Sequence, residues 1–379
     1  MRLLVCVPWF APARAFGGTV TVGLAEARGV VEAGHSVTVA TTDIVDLRSR
    51  IAPGAPEELE DAPVVRFPNV SQRLAAANVP LPRGLRRWLR AHVSEFDAVL
   101  LLDVYSAVSV LAARAAESAG VPYVLQALGT LPVTRERRRV AAKRAFRALW
   151  ARRTVRRAAA CLYLSEGERA EYVAQGADPN RLHHVPPPLD LPEPDELPRT
   201  EEPTVVYLGQ LHPIKRIGVL LDAFEQVRRE LPEARLEVIG APSRHGEALQ
   251  ARAGRGVTFR GLIPEEEKAA ALAGAQVFSL LSAAEGLPVT VLEALSCGTP
   301  VVISPGCGLP ELDGMAGIVC DGSAESAAGA LLALLRDPAR ARRYGAAGRS
   351  FAAAYRREAV VPELVSLLER IAMSSSSAA

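Results

Sequence analysis

The stretch "AEGLPVTVLEALSCGTPVV" (284–302) decides the fold. It places Glu285 before a Gly-x-Pro break and Glu293 eight residues later, inside an otherwise apolar run. Proline suits the first position of a helix because its missing N–H would have no helical partner there, so a helix is predicted from Pro288. The apolar stretch "TPVVIS" (299–304) follows as a strand. A buried helix leading into an apolar strand is typical of a parallel sheet covered on both faces.

The same alternation of apolar strands and helices runs through the rest of the chain. Strands are predicted at 2–9, 36–41, 98–103, 122–126, 160–165, 204–209, 235–240, 257–261 and 275–281. Seven prolines in the eighteen residues 186–203 interrupt the pattern and predict an interdomain linker. We therefore predict two doubly wound, Rossmann-like α/β domains, residues 1–190 and 191–355. The ending "MSSSSAA" (373–379) is predicted to be a disordered tail.

Composition places the chain among soluble globular proteins. Its 379 residues are 49% hydrophobic and 23% charged, and no run of eighteen apolar residues predicts a membrane span. The five cysteines form no C-x-x-C pair, which argues against a zinc site or a disulfide framework and favours reduced thiols in a cytoplasm. The opening "MRLLVCVPWFAPARAFGG" (1–18) fits a buried strand and its loop better than a signal peptide.

Positive charge is concentrated in one segment. The stretch 135–157, "RERRRVAAKRAFRALWARRTVRR", carries eleven Lys or Arg and one Glu, a net charge of +10, so the rest of the chain carries −8 within the overall +2. A basic amphipathic helix predicts contact with an anionic membrane or with a phosphorylated acceptor. A solvated arginine-rich helix is the alternative interpretation. No nucleic-acid partner is expected, because the charge comes without a nucleic-acid-binding motif.

The start of the predicted helix is suited to an anion. The backbone N–H groups near Leu287, Val289 and Thr290 would lack helical partners and could bind a phosphate. Glu293, one and a half turns further on, could accept hydrogen bonds from the vicinal hydroxyls of a ribose. This arrangement predicts a nucleoside diphosphate across the helix start. The alternative is an acid favoured by the helix dipole together with a partly exposed glutamate.

The segment "EGLPVTVLEALSCGTPVVISPGCGLPEL" (285–312) closely resembles the retaining, nucleotide-sugar-dependent glycosyltransferases of the GT-B fold, the glycosyltransferase family 4 type or group 1 glycosyltransferases. The E-x7-E signature of that family matches Glu285 and Glu293. Three further segments resemble the family's diphosphate-binding, nucleobase-side and glycine-loop units: 206–224, 257–278 and 13–43. The resemblance spans both predicted domains in the right order and is strongest over 204–320.

The resemblance implies a GT-B fold with a cleft between the two domains and a C-terminal segment (356–379) whose helix packs back on the first domain. The implied reaction is retaining transfer of a sugar from a nucleoside-diphosphate donor, UDP or GDP, to a hydroxyl of a glycan, lipid-linked or small natural-product acceptor. No D-x-D motif stands where a divalent ion is expected, so neither a metal nor another cofactor is implied. Lysine and helix dipoles would then stabilise the charge on the departing diphosphate.

The resemblance also implies roles for individual residues. Glu285, beside the sugar and the leaving phosphate, and Lys215, at the diphosphate, would be catalytic, and Glu293 would bind the ribose. The other implied donor-binding residues are Gly17, Gly18, Gln210, Arg216, Leu262, Gly286, Leu287, Pro288 and Val289. Gly17 and Gly18 would form a flexible loop that closes over the donor from the first domain.

Some positions depart from the family pattern. Gln210 stands where the family usually has Arg, and Arg216, where the family usually has Gly, could supply part of the lost charge. Leu128-Gly129 replaces the family's His-Gly, so no imidazole is available there. Asp103, at the end of a predicted strand, is the best candidate for orienting an acceptor hydroxyl as a third catalytic residue; a helix cap is an equally good interpretation.

Other functions are compatible with the same fold. A nucleotide-sugar epimerase or hydrolase is one alternative, and a catalytically silent nucleotide-sugar-binding scaffold is another. Hydride transfer is disfavoured because "GGTVTVG" (17–23) lacks the G-x-G-x-x-G spacing of dinucleotide-binding proteins. We expect a cytoplasmic enzyme, with contact to the inner face of the membrane through 135–157.

Overall fold

The structure is a computed structural model that describes the chain except for residues 47–48, 53, 55–56, 58, 60, 77–78, 132–149, 193–201 and 377–379. The chain divides into two compact units. One comprises Met1–Asp190 together with Arg356–Ala379, and the other comprises Leu191–Tyr355. The second unit is therefore an insertion, in sequence, between two parts of the first.

The first unit is built on a parallel sheet. Its strands are β1 (Arg2–Cys6), β2 (Ser36–Thr42), β3 (Val64–Phe67), β4 (Ala98–Leu101), β5 (Tyr123–Gln126), β6 (Ala160–Tyr163) and β7 (Leu182–His184). Within the described residues these seven strands lie in the order β3-β2-β1-β4-β5-β6-β7, and every neighbouring pair is parallel. The apolar strands β1, β4 and β5 lie in the middle of this sheet, buried on both faces except at Arg2.

The second unit repeats this architecture. Its strands are β8 (Thr204–Leu208), β9 (Arg235–Ile239), β10 (Val257–Gly261), β11 (Val277–Leu280), β12 (Val301–Ile303) and β13 (Gly317–Val319). Among the described residues they form a parallel sheet in the order β10-β9-β8-β11-β12-β13. The order reverses between β8 and β11 here and between β1 and β4 in the first unit. Doubly wound sheets bind ligands outside the strand ends at such switch points. The predicted doubly wound α/β fold is confirmed in both units.

Helices connect the strands in both units. In the first they are α1 (Gly18–Glu32), α2 (Gln72–Ala76), α3 (Leu85–His92), α4 (Ala107–Ala119), α5 (Arg152–Arg157) and α6 (Glu166–Ala174). In the second they are α7 (Ile217–Glu230), α8 (Arg244–Arg252), α9 (Glu265–Gly274), α10 (Val289–Ser296), α11 (Ala324–Leu335) and α12 (Pro338–Ala353). The helix α13 (Arg357–Ser376) returns to the first unit. None of the helices in the described part of the chain has the length and apolarity needed to cross a membrane.

Helix α13 is part of the core of the first unit. Its side chains Val360, Leu364 and Leu368 belong to the same buried cluster as the β1 residues Leu3 and Val5. The start of α13 is bonded to residues 189 and 190, where the first part of the unit ends. There the Arg357 N–H donates to the Leu189 carbonyl oxygen at 3.1 Å, and the Arg357 guanidinium lies 3.1 Å from the Asp190 carboxylate.

Three sequence predictions concern segments that lie partly outside the described residues. The disordered tail predicted from Met373 is wrong for 373–376, because α13 continues to Ser376 and the Ser374 hydroxyl donates to the Ile371 carbonyl at 2.9 Å; residues 377–379 lie outside the described part. Most of the basic segment 135–157 also lies outside it, and the described end forms α5. The same holds for 193–201 of the predicted linker. All five cysteines are free and buried, as expected for core residues.

Candidate functional site

The loops that follow β8, β11 and β12 are joined by backbone hydrogen bonds. The Ala283 N–H and the Ser282 hydroxyl donate to the Ile214 carbonyl oxygen at 2.8 and 3.1 Å. The Glu285 N–H donates to the Gly306 carbonyl oxygen at 2.8 Å. A Cβ atom at Gly306 would lie 2.3 Å from the Ser282 carbonyl oxygen, so a side chain there would prevent this approach. The backbone that carries Glu285 is therefore fixed from both sides at the switch point.

Lys215 and Glu285 meet at this switch point. Lys215 ends the short 3-10 turn Pro213–Lys215, whose cap is His212; the His212 Nδ1 accepts a hydrogen bond from the Ile214 N–H at 3.2 Å, which gives this histidine a structural role. The Lys215 Nζ lies 2.6 Å from the Glu285 Oε1, and the two side chains are 18% and 10% exposed. The fold thus brings together two residues that sequence reasoning proposed as catalytic, and it places an ammonium group at the carboxyl edge of the sheet.

The start of α10 differs in detail from the sequence prediction. The helix begins at Val289, and Pro288 is its cap. The Pro288 backbone closes a tight turn in which the Val289 N–H donates to the Leu287 carbonyl oxygen at 3.0 Å. The prediction that the Val289 N–H is available to an anion is therefore wrong, because the turn already uses it. Gly286 and Leu287 lie in the loop before the turn, and Leu287 and Thr290 are the predicted N–H donors that the turn does not use.

Glu293 is buried beside a lysine that sequence reasoning missed. It is the fifth residue of α10, and its Oε1 lies 2.6 Å from the Nζ of Lys268 on α9. The same ammonium lies 2.9 Å from the Glu265 Oε1. Burial alone would lower the pKa of Lys268, but the two carboxylates outweigh burial and raise the pKa above its usual value. One indication of this role is present in the sequence. Lys268 stands one helical turn before the fully buried Leu272, so both residues lie on the same face of α9.

The other candidate donor-site residues of the second unit lie at its strand ends. Gln210 is exposed after β8, and its carbonyl oxygen accepts a hydrogen bond from the Tyr207 hydroxyl at 2.8 Å. Arg216 has a left-handed backbone, with φ 52°, and its guanidinium lies beside Gly322, where an added Cβ would be 2.9 Å from the Nη1. The charge of Arg216 is thus next to the loop after β13. Leu262, directly after β10, is 70% exposed.

Gly17 and Gly18 lie where the loop after β1 meets α1. Gly17 has φ 78° and is the cap of α1, and Gly18 is the first residue of that helix. The positive φ of Gly17 turns the chain out of the preceding 3-10 turn and into the helix, a conformation that glycine adopts at little cost. The predicted flexible loop is therefore wrong for Gly18, which is helical.

Asp103 follows β4 at the switch point of the first sheet. Its Oδ1 accepts a hydrogen bond from the Tyr105 N–H at 3.1 Å. The cap of α4 is a different residue, Ser106, whose hydroxyl accepts from the Ser109 N–H at 3.2 Å. The helix-cap interpretation of Asp103 is therefore wrong, and the carboxylate instead orders the short turn between β4 and α4.

The loop after β5 carries Leu128-Gly129 and is held by a buried carboxylate. Both residues are left-handed, with φ 51° and 73°. The Glu168 Oε1 accepts from the Gly129 N–H at 2.5 Å, and the Oε2 accepts from the Leu164 N–H at 2.9 Å. Where the family usually presents an imidazole, this chain therefore has a backbone turn fixed by Glu168.

A second buried carboxyl group lies between α1 and the sheet of the first unit. Glu26 is fully buried, and among the described residues neither of its carboxyl oxygens makes a hydrogen bond of normal geometry. Burial raises the pKa of Glu26 to about 8, and the nearby Gln126 side chain offsets this only in part. Burial therefore favours the protonated, neutral form of Glu26.

An arginine-rich groove lies in the first unit beside α3, α4 and α5. The groove encloses about 890 Å³, and its lining includes residues from α3, α4 and α5. Among the described residues, its arginines are Arg86, Arg90, Arg114, Arg153 and Arg157. Glu117 also lines it and pairs with Arg153 at 2.7 Å. The groove thus presents an excess of positive charge that an anionic group could neutralise.

Family models match both units. The model "Glycosyl transferase 4-like domain" matches residues 17–188, and the model "Glycosyl transferases group 1" matches residues 202–337. Together they cover most of the chain in the order that the fold shows.

Curated relatives match over part of their length. The GDP-mannose-dependent alpha-(1-6)-phosphatidylinositol monomannoside mannosyltransferase of Mycolicibacterium smegmatis is 34% identical over 216 residues, 50% of this chain and 56% of the relative. The D-inositol 3-phosphate glycosyltransferase of Segniliparus rotundus is 32% identical over 220 residues, 52% of this chain and 49% of the relative. The chain thus spans about half the length of the curated relatives it matches.

Solved structures resemble the whole chain. The Anabaena HepE protein, solved in complex with UDP and glucose, superposes with a TM-score of 0.76 at 16% identity, covering 98% of this chain and all of HepE. At this identity the likeness shows the fold alone. It agrees with the two parallel α/β units described above, the architecture of GT-B glycosyltransferases. With a family model on each unit, the chain belongs to the group 1 glycosyltransferases, the family that its E-x7-E stretch resembles.

Proposed function

We propose that the chain is a retaining glycosyltransferase that moves a sugar from a nucleoside-diphosphate donor to an acceptor hydroxyl. The observation that carries the proposal is the Lys215–Glu285 pair, 2.6 Å apart at the switch point of the second sheet. Ligands of doubly wound sheets bind at this place, and a diphosphate requires positive charge there. The group 1 family model covers the same unit, which supports the proposal.

The donor is proposed to lie along the strand ends of the second unit. Glu293 would accept hydrogen bonds from the ribose hydroxyls, Lys215 and the start of α10 would bind the diphosphate, and the nucleobase would contact the exposed Leu262. UDP and GDP are the donor nucleotides we propose. UDP was bound to the HepE structure, and the relative from M. smegmatis is named for its dependence on GDP-mannose.

Transfer would break the bond between the sugar C1 and the diphosphate oxygen and form a bond from C1 to the acceptor oxygen on the same face. The acceptor hydroxyl proton would pass to the departing phosphate oxygen. The Lys215 ammonium would stabilise the charge that develops on that phosphate, and Glu285 would hold the ammonium in position. Since Lys215 and the helix start supply positive charge, we assign no metal ion or other cofactor to this step. Asp103 would orient the acceptor.

We propose a lipid-linked or otherwise phosphorylated acceptor. The two curated relatives are named for phosphatidylinositol monomannoside and D-inositol 3-phosphate, both of which contain a phosphate group. The five arginines of the groove in the first unit could bind such a group or an anionic membrane surface, because each basic residue near that surface contributes about 1 kcal/mol. Peripheral membrane contact through this groove and α5 follows as part of the proposal.

Nucleotide-dependent thermal stabilisation tests the proposed donor site. The melting temperature would be measured with UDP, GDP, dTDP, ADP and their sugars for wild type, Glu293→Gln and the control Glu266→Gln, an exposed residue of α9. A ligand at 100 times its Kd stabilises by about 2.7 kcal/mol. We expect one nucleotide to stabilise wild type and the control but not Glu293→Gln. Stabilisation of all three proteins alike would contradict the assigned site, and none with wild type would contradict the proposed function.

Transfer itself separates the enzyme from the alternatives. Incubation of the stabilising nucleotide sugar with phosphatidylinositol and inositol 3-phosphate should yield a glycosylated acceptor. Release of free sugar alone would favour a hydrolase, and a changed sugar on the nucleotide would favour an epimerase. Nucleotide-sugar binding without turnover of any kind would favour a scaffold.

Vesicle sedimentation tests the membrane contact. Replacing Arg86, Arg90 and Arg157 with glutamine should reduce co-sedimentation with phosphatidylglycerol vesicles and leave nucleotide binding unchanged. The control replaces three arginines of the second unit, Arg229, Arg235 and Arg336, in the same way. Equal sedimentation of the two variants would contradict groove-mediated contact.

A further inference from the structure

We propose that Lys268 is a positioning residue that holds the Glu293 carboxylate in the orientation and charge state needed to bind the donor ribose. The inference rests on the proposed function, since it assumes a nucleoside diphosphate at this site. Lys268 belongs to α9 and Glu293 to α10, so the contact joins two helices.

The geometry makes Glu293 depend on Lys268. The Lys268 Nζ lies 2.6 Å from the Glu293 Oε1, and the glutamate side chain is 5% exposed. A buried carboxyl group favours its neutral, protonated form unless a cation or hydrogen-bond donors stabilise the charge. A protonated carboxyl group has less acceptor capacity than a carboxylate. The ammonium therefore keeps Glu293 able to accept two ribose hydroxyl hydrogens.

The ammonium is itself held in place. It lies 2.9 Å from the Glu265 Oε1, one turn back on α9, and Glu265 is more exposed than Glu293. Lys268 thus bridges a solvent-facing and a buried carboxylate, which restricts its otherwise flexible side chain. Of its three N–H donors, two serve these carboxylates, and the third can donate to a ribose oxygen.

A carboxylate paired with an ammonium can still accept hydrogen bonds from a vicinal diol. A carboxylate offers about four lone-pair positions on its two oxygens, and Lys268 takes one of them at Oε1. Both ribose hydroxyls can donate to the carboxylate, and one of them can accept from the lysine. This reciprocity suits a diol and gives no advantage to a nucleotide that lacks its hydroxyls.

The test compares nucleotides with and without that diol. Calorimetric titrations with UDP, GDP and their 2′,3′-dideoxy analogues would use wild type, Lys268→Met, Lys268→Arg and the control Glu266→Gln. We expect Lys268→Met to weaken binding of the ribonucleotide about 10-fold, a typical loss for a hydrogen bond to a charged group, and to leave dideoxy binding unchanged. Lys268→Arg should restore most of the affinity. In transfer assays, the methionine variant should raise the donor KM with little change in kcat.

The outcomes are distinct. Wild-type affinity in Lys268→Met, or an equal loss for both classes of nucleotide, would overturn the role of Lys268 and leave the proposed function intact. Absence of UDP and GDP binding in wild type would overturn both. If Lys268→Met does not fold, the neutral pair Lys268→Met/Glu293→Gln replaces it, and retained discrimination between the ribonucleotide and its dideoxy analogue would overturn the inference.

Discussion

The two sheets of this chain share a strand order, but the loops at the carboxyl ends of their strands are stabilised differently. In the second unit, opposite charges meet at the site: Lys215 with Glu285, and Lys268 with Glu293. In the first unit, the Asp103 and Glu168 carboxylates accept hydrogen bonds from backbone N–H groups instead. The comparison shows that one fold can pair opposite charges beyond the strands of one sheet and use carboxylates to fix loop conformation on the other.

Because of this difference, we expect substitutions in the two units to affect different properties of the protein. Substitutions at the switch point of the second unit should reduce binding and turnover, because their charges face the proposed diphosphate and ribose. Substitutions of buried acids in the first unit should change stability first, because those groups interact with their own backbone or with the core. The experiments below test that separation, beginning with the largest expected effect.

Lys215→Met should reduce kcat by about 100- to 1000-fold, the typical loss when a donor that stabilises transition-state charge is removed. Steady-state transfer assays measure the effect, and urea unfolding should show little change in stability. The control is Glu266→Gln, an exposed residue of α9 in the same unit. A kcat within a few-fold of wild type would show that Lys215 does not stabilise the leaving group.

Glu26→Gln should remove a pH dependence of stability. Folded Glu26 keeps its proton up to about pH 8, whereas the unfolded residue loses it near the ordinary value of 4.5. Between these values the folded state binds more protons, so wild-type stability should fall as pH rises, by about 1 kcal/mol per pH unit. Urea unfolding at pH 5, 6.5 and 8 measures the slope, with the exposed Glu32→Gln on the same helix as control. An equal slope in wild type and Glu26→Gln would mean that Glu26 does not titrate in this range.

Glu168→Gln should destabilise the first unit by about 2 kcal/mol, because an amide cannot accept from both the Gly129 and Leu164 N–H groups as a carboxylate does. The control is Glu166→Gln, an exposed residue of the same helix. Nucleotide binding should be unchanged in both variants. A loss of nucleotide affinity without a loss of stability would contradict the distinction between the two units.

Much of the second unit could be predicted from the sequence. Apolar strands alternating with helices predict a parallel sheet, and the family resemblance alone points to Lys215 and Glu285. The hydrogen bonds at the start of α10 were harder to predict. Whether the Val289 N–H is free depends on the ψ angle of Pro288, because the proline ring fixes only φ.

Contacts between helices could not be predicted in the same way. Lys268 meets Glu293 because α9 and α10 pack side by side, and the rotation of each helix decides which side chains meet. The short strands β3 and β13, of four and three residues, gave too little periodic signal to be recognised. The sequence Ser165-x-x-Glu168 has the form of a helix cap, and the Ser165 hydroxyl accepts from the Glu168 N–H at 3.3 Å. The contact of the Glu168 carboxylate with Gly129 depends on tertiary structure.

The position of α13 has a consequence for synthesis on the ribosome. The core of the first unit needs Val360, Leu364 and Leu368, yet the whole of Leu191–Tyr355 is translated before them. At about 5–20 residues per second, this interval lasts roughly 10–30 s. During it, the apolar face of α1 has no partner from α13, while the inserted unit can already complete its own sheet. The unit that begins first in translation is therefore the one that finishes folding last.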